Sequence, residues 1–167
     1  MSTPYDEVGG VSELVLGQRY QRQFWMVSPG VGKSWQVMVP GGVRWRLISL
    51  EIGYTSDATA GDRLLQLVIV KENHTIIDCP AGIAQPPSTG LLYGWFVGAA
   101  LVTTVSVGRT HTAPVPSCWL ESGWSLYLPI PSGYTGDTWL ASTVWVEEEI
   151  IGPPEPRQIV RSVPLVE

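Results

Sequence analysis

The alternation of apolar and polar residues, cut at short intervals by glycine and proline, constrains this chain most. Trp35, Val37 and Val39 alternate with Gln36 and Met38. Trp124, Leu126, Leu128 and Ile130 alternate with Ser125, Tyr127 and Pro129. A repeat of two places successive side chains on opposite faces of a strand, whereas a helix needs a repeat near 3.6. With 18 glycines and 14 prolines in 167 residues, long helices are excluded and turns are frequent.

The same pattern predicts the remaining strands. Val43 to Tyr54 carries Val43, Trp45 and Leu47 on one parity and Ile48, Leu50 and Ile52 on the other. A change of parity inside one run predicts a β-bulge near Leu47 and Ile48. Arg63–Lys71 and Thr75–Cys79 form a hairpin across Glu72-Asn73. Pro80–Gly90 reads as a loop, and Leu91–Gly108 as two strands split at Gly98-Ala99-Ala100. Residues 109–123 read as a second loop. Thr138–Glu148 is the last strand, with Leu140, Val144 and Val146 on one face and Trp139, Trp145 and Glu147 on the other. About eight strands at this spacing predict an all-β fold, a two-sheet antiparallel β-sandwich of jelly-roll-like form. Its domain spans 34–149. Residues 1–33 and the Pro-rich 150–167 lack continuous periodicity and are expected to be extended N- and C-terminal arms.

Composition narrows the function. Hydrophobic residues make up 44%, enough for a sizeable core, and charged residues only 15% against about 25% in an ordinary domain. A net charge of −5 gives no basic footprint, so nucleic acid is not an expected partner. The uncharged stretch 91–108 contains glycine, threonine and serine and has no flanking lysine or arginine cluster, so no membrane span is expected. The first residues show no charged segment before an apolar one, which predicts synthesis in a host cytoplasm without export.

Motifs for chemistry are sparse. Gly32-Lys33-Ser34 ends like a phosphate-binding loop, but it lacks the upstream glycine and leads into a strand. His74, Cys79, His111 and Cys118 match no zinc spacing, so neither a metal nor any other cofactor is expected. The two cysteines are expected as reduced, packed thiols. Glu147-Glu148-Glu149 reads as a solvated end that blocks edge-to-edge aggregation rather than as an acid–base pair. No catalytic residues are assigned. The eight tryptophans say more. Trp35, Trp45 and Trp124 lie on core-directed parities, while Trp139 and Trp145 lie opposite the apolar face of their strand. Outward tryptophans on a low-charge surface imply a protein partner or a sugar ring.

Two stretches carry a resemblance. Trp35-Gln-Val-Met-Val-Pro-Gly-Gly-Val-Arg-Trp-Arg-Leu47 followed by Thr55-Ser-Asp-Ala-Thr-Ala-Gly-Asp-Arg63 resembles the opening of small jelly-roll proteins of tailed-bacteriophage virions. Leu126-Tyr-Leu-Pro, Gly136-Asp137 and Val144-Trp-Val-Glu-Glu148 resemble their close. The resemblance covers roughly residues 35–149. It implies a non-enzymatic capsid cement, or decoration, protein on the capsid exterior, which clamps major capsid protein subunits and associates with itself as a homotrimer. The expected contacts are Phe24, Trp25, Trp139, Trp145, Pro153, Pro154, Ile159, Val160 and Leu165. The alternative is a carbohydrate- or receptor-binding jelly-roll module of a tail, neck or fibre assembly.

Overall fold

The computed structural model describes residues 16–106 and 108–153. Among these there is no helix, and eleven strands form two sheets. The strands are β1 (Arg19–Met26), β2 (Gly30–Val31), β3 (Trp35–Met38), β4 (Val43–Thr55), β5 (Arg63–Lys71), β6 (His74–Gln85), β7 (Gly90–Val97), β8 (Thr110–Val115), β9 (Trp119–Leu120), β10 (Ser125–Leu128) and β11 (Thr138–Ile150). The seven-stranded sheet runs β1-β11-β4-β7-β8, with β2 also on β11 and β9 also on β4. The four-stranded sheet runs β3-β10-β5-β6. Alternate residues of both sheets meet in one core, including Trp35, Leu67 and Leu126 from the smaller sheet and Leu50, Trp95 and Val146 from the larger. This is the expected sandwich.

The topology shows why it is jelly-roll-like. β4 pairs with β11 in one sheet, and β5 pairs with β10 in the other, both antiparallel. The two halves of the chain therefore pair from the outside inward and alternate between sheets, as a doubled-over ribbon does. The pattern breaks at β7 and β8, which pair in parallel. A parallel pair needs a crossover of about a dozen residues, and residues 98–109 supply it.

This crossover corrects the expectation of a second strand in 98–108. Its Leu101, Thr103 and Val105 look strand-like, but the segment is instead tied to β8, the Val102 N–H donating to the Thr112 carbonyl and Thr112 Oγ1 to the Ala100 carbonyl. β8 itself lies in the expected loop 109–123. Its Pro114 is tolerated because β8 ends the sheet order. β6 likewise runs past Pro80 to Gln85 as the last strand of its own sheet.

The predicted bulge is present. Trp145 pairs with Ser49 and Val146 with Leu47, leaving Ile48 as the extra residue. Trp45 and Leu47 before it, and Leu50 and Ile52 after it, therefore all face the core. A second irregularity lies between Trp139 and Ser142. It reverses the parity of β11, so Trp139 is fully buried and Leu140 is exposed. The expected outward Trp139 is thereby corrected.

Within the expected arm 1–33, residues 19–26 pair with β11 from Glu149 to Ser142, and Gly30–Val31 pair with its other end. β1 escapes recognition because it is almost entirely exposed, so no apolar repeat marks it. Just beyond β11, Ile151 and Gly152 donate backbone hydrogen bonds to the Gly42 carbonyl. Gly42 has φ +78°, and a Cβ there would stand 2.6 Å from the Pro153 carbonyl oxygen. Gly42→Ala is therefore expected to lower stability by about 1–3 kcal/mol, measured by urea denaturation.

Candidate functional site

The seven-stranded sheet turns one face to the core and the other to solvent. Register and alternation order the solvent face into rows. Beside the chain's exit from the sheet, Arg19, Glu149 and Arg44 stand opposite one another. The next row is Gln21, Glu147, Arg46 and Trp119. Glu149 accepts from Arg19 Nε at 2.7 Å and Arg44 Nη2 at 3.1 Å, and Glu147 pairs with Arg46. The Trp119 ring lies under all three guanidiniums, 4.6 Å from Arg44 and 5.3 and 5.5 Å from Arg19 and Arg46. Desolvation works against the Glu149 charge, but Arg19 and Arg44 outweigh it and hold its carboxyl below the usual range.

On the opposite face at this end, Glu148 is buried. It accepts from Tyr20 Oη at 2.6 Å, Trp45 Nε1 at 2.7 Å and Arg22 Nη1 at 3.1 Å. The three glutamates are thus not the solvated end of an edge strand. β11 lies between β1 and β4, and basic residues of both neighbours neutralise its carboxylates.

Further along the solvent face the only charge in the rows that follow is Glu51. One row is Gln23, Trp145, Ser49 and Phe96, and the next is Trp25, Thr143, Glu51 and Gly94. Gly53 and Leu92 follow, with Leu140 packed over Gly53. Trp25 is 75% exposed, Leu92 50%, Leu140 42% and Trp145 38%. These large apolar groups stay open to solvent on the outer face of the sheet.

The opposite end of the sandwich fixes this platform. Arg63 is fully buried, and all five of its N–H donors are used. Nε and Nη2 fork onto Asp137 at 2.8 and 3.1 Å. Nη2 also reaches Asp57 Oδ1 at 2.7 Å, while Nη1 donates to the Thr59 and Gly61 carbonyls at 2.8 and 2.6 Å. Tyr54 Oη donates to Asp137 at 2.6 Å, and the Tyr134 ring covers the guanidinium at 4.1 Å. Burial disfavours the Asp137 charge, but hydrogen bonds from Arg63, Tyr54 and the Asp57 N–H override it and keep the carboxyl below its ordinary value. This network ties the turn after β4, the start of β5 and the turn before β11 together. It is closed and leaves no donor for a ligand.

No family model matches the chain. No curated protein matches it either. Among solved structures it is similar to "Structure of infectious bursal disease virus Gx strain", with 10% identity over 93% of this chain and 47% of that chain and a TM-score of 0.33. It is also similar to "Structure of infectious bursal disease virus Gt strain", with 12% identity over 90% and 45% and a TM-score of 0.25. The chain spans about half the length of these two chains.

The residues expected to make contacts scatter. Trp25 and Trp145 share the solvent face, on adjacent strands and two residues apart in register. Phe24 points the other way and packs on Trp45, ring centroids 5.3 Å apart. Trp139 is in the core against Tyr54 at 4.4 Å. Pro153 is exposed, and Pro154, Ile159, Val160 and Leu165 lie outside the described residues. Leu92, Phe96, Leu140 and Glu51 are members of the face that alternation alone does not single out. The signal that could have found them is Gly53 and Gly94, two glycines inside strands, which mark places where side chains lie across the backbone.

Nothing here assembles a metal centre: among the described residues no group of three His, Cys, Asp or Glu side chains converges. His111 is buried, with Nδ1 at 3.1 Å from the Leu92 carbonyl and Nε2 at 2.9 Å from the Ser106 N–H. A ring nitrogen that accepts from a backbone N–H has no lone pair left for a ligand. Both thiols are free, and burial pushes Cys79 up to about 11. No described helix is long and apolar enough to cross a membrane.

Proposed function

We propose that this chain is a non-enzymatic structural protein of a virus particle, of the capsid cement or decoration type. In this role it lays the solvent face of its larger sheet on major capsid subunits, outside the shell, and holds neighbours together against internal pressure. The observation that carries the reading is the pair Trp25 and Trp145, open on a sheet whose two ends are cross-braced by paired charges. An interface needs a rigid aromatic anchor more than a pocket. The resemblance over residues 35–149 supports the class of particle. Segments 1–15 and 154–167, with Pro154, Ile159, Val160 and Leu165, add contacts, and the bound form is a homotrimer. Repetition over a shell multiplies each weak contact.

The test is binding to undecorated heads of the virus that encodes the protein. A Trp25→Ala/Trp145→Ala double variant should bind at least about thirtyfold more weakly, the effect of losing about 2 kcal/mol at an anchor, with an unchanged melting temperature. Unaltered occupancy would refute the face. The second reading, a carbohydrate-binding module, is favoured by the same two indoles, because an exposed indole stacks on a sugar face. A glycan array with hits lost in the double variant would replace the cement role.

A further inference from the structure

Glu51 sits in the middle of the proposed docking face. It is directly opposite Thr143 on β11 and Gly94 on β7, and Trp25 is opposite Thr143 in the same row. Trp145 and Phe96 occupy the adjoining row on either side of Ser49. Two strand spacings separate Glu51 from Trp25, about 10 Å, and the diagonal neighbours are nearer, at about 7–8 Å. Gly94 and Gly53 carry no side chain, so the Phe96 ring and the Leu140 side chain lie across the backbone beside it. Glu51 is exposed, and among the described residues its carboxylate makes no hydrogen bond or ion pair.

That isolation is unusual within the larger sheet. The other carboxylates of the larger sheet, Glu147, Glu148 and Glu149, are each paired with arginine. The chain also uses one combination twice. Arg63 is gripped by carboxylates under the Tyr134 ring, and Arg19, Arg44 and Arg46 are gripped by carboxylates over the Trp119 ring. Around Glu51 the carboxylate and the aromatic rings are present and, among the described residues, the cation is not.

We infer that the partner supplies the missing member: an arginine or lysine side chain, flanked by apolar residues, that seats on Glu51 among Trp25, Trp145 and Phe96. The inference rests on the docking role proposed above for this face. A guanidinium suits the site because its plane stacks on an indole while its edge forks onto a carboxylate. A lone carboxylate in an aromatic surround also selects against acidic partners, for which it is a repulsive element. The flanking apolar residues cover Leu92 and Leu140.

The test compares full-length wild type, Glu51→Gln and the Trp25→Ala/Trp145→Ala variant on undecorated heads, at low and high salt. Glu51→Gln should fold as wild type, since no internal contact is lost. It should bind about tenfold more weakly at low salt, and its affinity should no longer fall as salt rises. The double tryptophan variant should bind weakly but keep the wild-type salt dependence. Glu51→Gln binding as tightly as wild type, or tighter, while the tryptophan variant fails overturns the cation and leaves the face. Full binding by both variants removes the face itself.

Discussion

Asp137→Ala is expected to destabilise the protein by about 3–5 kcal/mol, the range for stripping one partner from a buried ion pair. Arg63 has no exposed surface and no second site at which to be hydrated. Without Asp137 it keeps Asp57, a less buried carboxylate, and loses its fork. Tyr54 Oη and the Asp57 N–H lose their acceptor in the same substitution. Replacing Arg63 and Asp137 together by methionine and leucine should cost less than Asp137→Ala alone, because no charge is then stranded. Urea denaturation of the three proteins measures this. A double variant no better than the single would show that the apolar pair does not pack.

Asp137, together with Glu149, also sets the acid limit. The Asp137 and Glu149 carboxyls are held below their ordinary values in the folded protein. The unfolded chain therefore takes up protons first as pH falls. Their contribution is complete above the unfolded values, near pH 4, and is lost as pH falls through the folded ones. Melting temperature should hold from neutral pH to about 5 and then drop, and the drop should be shallower in Asp137→Asn.

Trp139→Ala is expected to cost about 3–5 kcal/mol, whereas Trp145→Ala should change stability by less than about 1 kcal/mol. Six residues apart on one strand, these two indoles share a parity that strict alternation places outward together. The irregularity between Trp139 and Ser142 separates them. Trp139 lies against Tyr54, and its indole N–H is buried without a partner. Trp139→Phe should therefore keep most of the stability, since it leaves out an unsatisfied donor. Equal losses for the two alanine variants, measured by thermal melts, would place both rings in the core.

These two tryptophans also show what was legible. Alternation identified β3, β4, β5, β10 and β11, because each buries one face and the burial imprints a repeat of two. The bulge at Ile48 was legible because apolar residues stand on both sides of the parity change. The one beyond Trp139 was not, because Leu140 is apolar yet exposed, so the pattern appears unbroken. β1 left no trace, since its stability comes from backbone pairing and from arginines meeting glutamates about 130 residues away. Pairing partners, unlike faces, are not written in a local repeat. The proposed docking face suffers from the same blindness: Glu51, Phe96, Leu140, Trp145 and Trp25 come from four strands, and only the sheet order makes them neighbours.

The central position of β11 has a consequence for biosynthesis. A strand that ends at residue 150 separates β1 from β4, so a ribosome must deliver nearly all of the described chain before either neighbour finds its mate. Until then β4 offers an open hydrogen-bonding edge to any other nascent copy. Maturation is thus gated by chain completion, and prematurely terminated products should accumulate as insoluble aggregates instead of partly active fragments.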